Sequence, residues 1–457
     1  MTITTDTPAL QALLSSVRGP VLTGPDAVAE AAVWNLTITP DPHLVVGATC
    51  AEDIAAATRY ATSTGRAIAV HATGHGTFDA ATDAVVVTTK RMQTVVVDAA
   101  RRRARISAGA KWKSVVAETS RYGLAPLTGS TSDVGAVGYT LGGGLGSLGR
   151  KYGFAADSVR SLELVTADGV VRRIDPHHEP ELFWGIRGGK GSFGIVSEIE
   201  IDLYPVSTFY AGALVFEPQH AAAVLQAWQA LAPTLPEETT TSFALKRLPD
   251  IPDVPEPVRG RLTVHVRFAH LGTDLEGSLL LQPVRGAAPV LIDDVHRRPY
   301  SEADAIHQDP VNPVPFWETG GLLHAFTGES VERLLAVAGR DAELPLLVVE
   351  VRLMGGQLAR QPEHPNAVPG RDAAYNLFAV GIDVPPTATA VRAAGAAVLD
   401  ALRPELTGRH MANFIGSTTD PAVVLNSYEP ETARRLQALK RAWDPTDTFR
   451  IGHVVRS

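Results

Sequence analysis

Nine glycines fall between Gly129 and Gly153, in the run GSTSDVGAVGYTLGGGLGSLGRKYG. Glycine this dense raises the entropic cost of folding, so a compact chain keeps it where backbone approaches something closely or adopts positive φ. A second such stretch, HATGHG (His71 to Gly76), lies upstream, and a third, RGGKGSFGIV (Arg187 to Val196), lies downstream. Three of them, separated by strand-like and helix-like segments, imply a large flat or phosphate-bearing ligand held mostly by main chain. That is the outline of a nucleotide cofactor site.

The chain has 457 residues, room for about two or three domains and a full core. A net charge of −8 argues against a nucleic-acid surface, and Arg101-Arg102-Arg103 reads as a solvated hairpin turn. The single cysteine, Cys50, excludes an internal disulfide framework and a cysteine-based metal cluster. No apolar run reaches membrane-spanning length, and the first residues, MTITTDTPALQALLSSVRG, lack the charged start and apolar core of a secretory signal. A cytoplasmic enzyme is the expectation, without nucleic-acid or membrane partners.

Through residues 40 to 205 short β-rich runs alternate with helical ones. Thr49-Cys50-Ala51-Glu52 fits a capping box, with a helix running from it to Gly65. Ile68 to Val70 reads as a strand delivering the HATGHG turn, and Val85 to Val87 and Val95 to Val97 as buried strands. LELVTADGVVRRI reads as a hairpin turning at Asp168-Gly169. From about Ser207 the strands lengthen (AGALVFE, RLTVHVRFAHL, LPLLVVEVRL, YNLFAVGI), with helices near 219–231 and 388–403 and a proline-rich loop, PDIPDVPEPV. This predicts an α+β domain with an antiparallel sheet. A charged helix (EPETARRLQALKRAWD) precedes the tail.

Gly144-Leu-Gly146-Ser-Leu-Gly149 matches the nicotinamide-type glycine fingerprint, which needs a clean strand before it and an acidic residue about twenty positions on. The run before it is irregular, so these glycines are better read as letting backbone lie against a cofactor. His71 and His75 are four apart, but they lie in a turn without a carboxylate at ligand spacing, and no metal site is expected.

Together HATGHG, GSTSDVGAVGYTLGGGLG, RKYG, LFWGIRGGKGSFGIV and RLQALKRAWDPTDTFR resemble the FAD-linked oxidases of the vanillyl-alcohol-oxidase superfamily. More narrowly they resemble the berberine-bridge-enzyme and 6-hydroxynicotine-oxidase branch, from about Trp34 through Pro205 and again from about His410. The resemblance implies an α+β fold: a two-part FAD-binding domain of the PCMH type (1–206), a substrate domain with an antiparallel sheet flanked by helices (207–409), and a C-terminal segment (410–457) returning to the first. It implies covalent attachment of the flavin 8α-methyl at His75. His71, Ala72, Thr73, Gly74 and Gly76 complete that turn, whose backbone N–H groups would cradle the pyrophosphate. The glycine run would contribute Gly129, Ser130, Thr131, Asp133, Val134 and Gly135, then Gly138, Leu141, Gly142, Gly144 and Gly146. Gly194, Ile195 and Val196 would reach the isoalloxazine edge by main chain. Thr131 stands where some relatives carry a second attaching cysteine, which excludes two-point attachment. Lys190 and Ser192 replace family glycine and asparagine.

The implied activity is that of an FAD-dependent oxidase passing hydride from a small amine, heterocycle or biosynthetic intermediate to flavin N5, with reoxidation by O2. A homodimer is compatible with this. The alternative is a flavin-containing non-redox cyclase or isomerase in the same pocket. Relatives that oxidise alcohols use a tyrosine base in Y-x-N-Y; here the stretch reads Met411-Ala-Asn413-Phe414, and neither hydroxyl is present. His410 is the candidate base, with Asn413, Phe414 and His453 as candidate pocket residues.

Overall fold

The computed structural model describes residues 8–252, 254–342 and 344–456. The start of the 1–206 segment and one residue of the proline-rich loop lie outside them. Among the described residues the strands form three sheets.

The first sheet comprises β1 (Val21–Leu22), β2 (Leu44–Gly47), β3 (Ile68–His71) and β4 (Val85–Thr88), in the order β1-β2-β4-β3. β2 and β3 both run parallel to β4. Every residue of β2 and β4 is buried, as unbroken apolar runs in a parallel sheet require. Between β2 and β3 lies the helix Ala51–Ser63. Its acidic cap is Asp53, not Glu52: the Asp53 carboxylate accepts from the Thr49 N–H and hydroxyl and from the Arg18 N–H. The helix stops before Gly65, at φ +68°.

The second sheet contains β5 (Val95–Asp98), β6 (Arg103–Ser107), β7 (Val159–Val165), β8 (Val171–Ile174) and β9 (Ile195–Asp202), ordered β5-β6-β9-β7-β8. β5 is an edge strand with alternating exposure, which corrects the expectation that Val95 to Val97 are buried. The β7–β8 hairpin turns at Asp168-Gly169 as expected.

The third sheet is antiparallel and eight-stranded: β10 (Thr208–Phe216), β11 (Thr239–Arg247), β12 (Leu262–His270), β13 (Val290–Asp293), β14 (His296–Pro299), β15 (Phe316–Leu323), β16 (Leu346–Leu353) and β17 (Tyr375–Ile382). The path runs β13-β10-β12-β11-β16-β17-β15, with β14 also on β10. Helices Ala221–Leu231, Asp274–Arg285, Gly328–Ala338 and Ala388–Ala401 bury one face. Trp228 packs edge-on against Phe243 there, and Val266, Val349, Val351 and Leu377 fill the layer. The other face is directed toward the glycine-rich segments.

The helix Pro430–Trp443 closes the chain onto the second sheet's helices. Lys440, fully buried, donates to the Ser192 and Phe449 carbonyls at 3.0 and 2.7 Å and pairs with Asp444 at 2.7 Å. The Tyr428 hydroxyl donates to the Gly188 carbonyl at 2.8 Å. The architecture is mixed α+β, with one mostly parallel sheet and two antiparallel ones flanked by helices, and no barrel among the described residues. No helix among the described residues is long and apolar enough to cross a membrane.

Candidate active site

A cavity of about 490 Å³ separates the three glycine-rich segments from the free face of the third sheet. One wall is the β3 turn: His71 through Gly76, with Trp34 and Phe78 beside it. Val33 packs so close to Gly74 that a Cβ there would sit 2.7 Å from it, and Gly74 has φ +74°. His75 stacks on Trp34 at 4.7 Å, and its Nδ1 lies 2.9 Å from the Thr73 hydroxyl. Its Nε2 is buried without a hydrogen-bond partner among the described residues. Burial pushes the imidazole down to about 4, so it stays neutral at physiological pH. His71 is likewise pushed down to about 4 by burial, and its Nδ1 lies 3.2 Å from the Ala31 carbonyl.

The long glycine run divides into two uses. Gly129, Ser130, Thr131, Val134, Gly135, Gly138 and Leu141 line the cavity, and Gly138, like Gly76, faces open space where a Cβ would be. Gly142, Gly144 and Gly146 do not line it. A Cβ on Gly146 would collide with the Thr128 carbonyl, and one on Gly144 would come within 2.5 Å of Tyr139. These glycines admit close internal packing rather than facing the cavity. The turn Gly144–Gly149 joins two short helices, Ala136–Leu141 and Gly149–Tyr152, and follows no strand; that disposes of the nicotinamide-type fingerprint. Asp133 is also off the wall, engaged by Lys111 and Lys113 at 2.8 and 3.1 Å. Gly194, Ile195 and Val196 do reach the cavity. Cys50 is half-buried at its helix start, away from it.

Asn413, Phe414 and His453 lie on the cavity wall; His410 does not. His453 stacks on Phe78 at 5.3 Å, with Nε2 2.8 Å from the Thr418 carbonyl, and burial pushes it down to about 3. Asn413 Nδ2 donates to the Tyr139 carbonyl at 2.8 Å. His410 is turned away from the cavity, and burial lowers its basicity further. The candidate base from sequence thus lies outside the cavity lining, although its chain neighbours Asn413 and Phe414 are on it.

The sheet face adds residues that sequence reasoning missed. Arg267 of β12, Glu350 and Arg352 of β16, Phe378 and Val380 of β17 and Glu318 of β15 all line the cavity. The Glu350 carboxylate is shared by Arg267 Nη1 and, at 2.9 Å, Arg352 Nη2. Burial opposes its ionisation, but the two guanidinium groups hold it well below the usual carboxylate range. The missed signal was charge at alternate positions of otherwise apolar strands, as in VVEVRL and VRF, which places both charges on one sheet face.

These features fit an FAD. The cavity has main chain and open glycines on one side and the orphaned buried Nε2 of His75 beside them.

Residues 42–175 match the family described as an FAD binding domain. The chain is similar to (R)-6-hydroxynicotine oxidase of Paenarthrobacter nicotinovorans, with 28% identity covering 96% of this chain and 97% of the relative. The crystal structure of 6-hydroxy-D-nicotine oxidase from Arthrobacter nicotinovorans superposes with a TM-score of 0.82 at 26% identity, covering 98% of this chain and 99% of that one. The BBE-like 1 protein of Physcomitrella patens shares the fold, with a TM-score of 0.83 at 18% identity over 97% of this chain and 98% of its own. The chain is an FAD-linked oxidoreductase, homologous along its length to 6-hydroxynicotine oxidase and sharing the fold of the BBE-like proteins.

Proposed function

We propose that the protein is an oxidase that holds FAD through a single covalent bond at His75 and oxidises a small amine or heterocyclic substrate against the charged face of the third sheet. The observation that carries this reading is the orphaned His75 Nε2, in a neutral imidazole stacked on Trp34 inside the cavity. A neutral imidazole is a nucleophile; a protonated one is not.

On this reading residues 1–206 hold the cofactor, 207–409 present the substrate, and 410–457 close the site. The N–H groups of the HATGHG turn and the open edge at Gly138 receive the pyrophosphate, and Gly194 to Val196 meet the flavin ring by main chain. FAD, when bound, supplies the hydride acceptor at N5, and O2 serves as the final oxidant. Phe378, Val380 and Phe414 give the substrate space an apolar lining that excludes water beside the reacting carbon. The lone pair of an amine nitrogen supports hydride loss, which suits a site without the tyrosine pair. (R)-6-hydroxynicotine, the substrate in the name of a relative, is the first compound to try.

Acid precipitation of the purified protein tests the covalent claim. Yellow colour stays in the pellet of the parent protein and moves to the supernatant in His75→Ala. Colour in the parent's supernatant overturns the linkage, and a colourless protein that FAD does not reconstitute overturns the function. Oxygen consumption with a bleaching substrate tests the oxidase claim.

A further inference from the structure

Lys190 holds a backbone conformation suited to glycine, with φ +54° and ψ −143°. A residue with a Cβ is strained there, and such strain persists where the surroundings over-determine it, often at functional sites. What the strain accomplishes is visible. The side chain crosses the space left by Gly142, where a Cβ would lie 2.8 Å from Lys190 Cε, and reaches the cavity wall. Its Nζ donates to the Ala412 carbonyl at 2.8 Å.

Glu318 lines the same cavity from β15. Its backbone is clamped on both sides by Ser417: the Glu318 N–H donates to Ser417 Oγ at 3.0 Å, and its carbonyl accepts from the Ser417 N–H at 2.9 Å. Neither carboxylate oxygen has a hydrogen-bond or ion-pair partner among the described residues. A half-buried carboxyl that faces the cavity without a partner, on a backbone held on both sides, is placed to meet a ligand.

The other titratable groups on this cavity are poorly suited to exchange a proton at neutral pH. Burial keeps His71, His75 and His453 neutral and too weakly basic, and raises the Tyr139 hydroxyl. Glu350 is committed to Arg267 and Arg352. Asp79 accepts from the Ala81 N–H at 2.7 Å. Among the described residues, the positive charge of Lys190 opposes the upward push of burial on the Glu318 carboxyl.

We propose that Glu318 is the proton acceptor for substrate oxidation in this cavity, and that Lys190 is the positioning residue that tunes it. This rests on the flavin-oxidase reading above. The substrate's N–H or O–H proton passes to a Glu318 carboxylate oxygen. The hydrogen on the adjacent carbon leaves with its bonding pair as hydride, with oxidised flavin as the two-electron acceptor, and a C=N or C=O bond forms. Burial raises the Glu318 carboxyl to about 8, against the pull of Lys190, so the acceptor form appears across neutral to alkaline pH. Burial likewise lowers Lys190 to about 8.

The test uses the yellow holoenzyme and needs no substrate to begin. Infrared titration is expected to show a protonated-carboxyl band that disappears with a midpoint near 8 and is missing from Glu318→Gln. Lys190→Met moves that midpoint upward, because a stabilising positive charge is gone. Lys190→Gly melts higher than the parent, since glycine relieves the backbone, yet shows the same upward shift. With an amine or alcohol that bleaches the flavin, Glu318→Gln lowers kcat/KM by about 100-fold and loses the rise toward alkaline pH, and Glu318→Asp recovers part of both. A band that persists in Glu318→Gln, or a midpoint unmoved by Lys190→Met, overturns the inference while leaving the flavoenzyme intact. A colourless protein instead overturns the function beneath it.

Discussion

The two walls of the cavity are built by different means. The wall made by the β3 turn and the glycine run presents main chain, with Gly76 and Gly138 facing open space. The wall made by the third sheet presents charged side chains: Arg267, Glu350, Arg352 and Glu318, from three strands far apart in the chain. Main-chain recognition suits a ligand that does not change, because N–H groups need no side chain to act as donors. Side chains on a sheet face alter one at a time without disturbing the ladder, so on the proposed function that wall is the one that selects substrate. The comparison also separates two kinds of glycine: those that leave room for a ligand and those that leave room for the protein.

The sharpest way to break the comparison is to unbalance the charged wall. Glu350→Ala leaves two buried guanidinium groups without their shared carboxylate and is expected to cost about 3–5 kcal/mol in chemical denaturation. A loss within experimental scatter would mean that solvent already compensates that face.

Acid discriminates on the other wall. His71 is neutral in the folded protein down to about 4, whereas an unfolded chain protonates it near its ordinary value of 6.5. Between those values the unfolded state binds more protons, so stability is full above about 6.5 and falls as pH drops toward 4. The loss is about 3 kcal/mol for this residue, from the size of the shift. His71→Gln, if it folds, flattens the curve; an unchanged pH dependence would remove His71 from the account.

Within the glycine run, Gly146→Ala pushes a methyl into the Thr128 carbonyl and is expected to destabilise by about 2 kcal/mol. Gly138→Ala meets nothing and changes stability by less than about 0.5 kcal/mol, but it weakens FAD retention, read as flavin fluorescence released on mild heating. If the two variants behaved alike, the division of the run into packing and ligand-facing glycines would be wrong.

The flavin side was readable in advance because its information is local. Positive φ at Gly74 and close approach at the turn demand glycine at given positions, and the motifs keep that spacing within short segments. The long apolar, β-branched runs that became β10, β12, β16 and β17 were readable for a similar reason, since strand character is a property of short segments. The same logic does not separate Gly142 and Gly144 from the glycines on the cavity: a sequence shows that a Cβ is unwelcome, not what it would strike. For Gly142 the answer is Asn413 and Lys190; for Gly144 it is Tyr139.

His410 and Glu318 mark the other limit. His410 was nominated by its neighbours in the chain, and the fold turns it from the cavity; Glu318, in the unremarkable run FWETGG, is brought there by pairing with Val380 across β17. Pairing between residues so distant in sequence leaves no local trace. The sequence by itself determined the cofactor class, the gathering of three glycine-rich segments on one cavity and the strand-rich second half, because backbone conformation and strand character are properties of short segments. Only the tertiary structure decided which charges share a cavity, since that depends on which strand lies beside which and on the face each side chain takes.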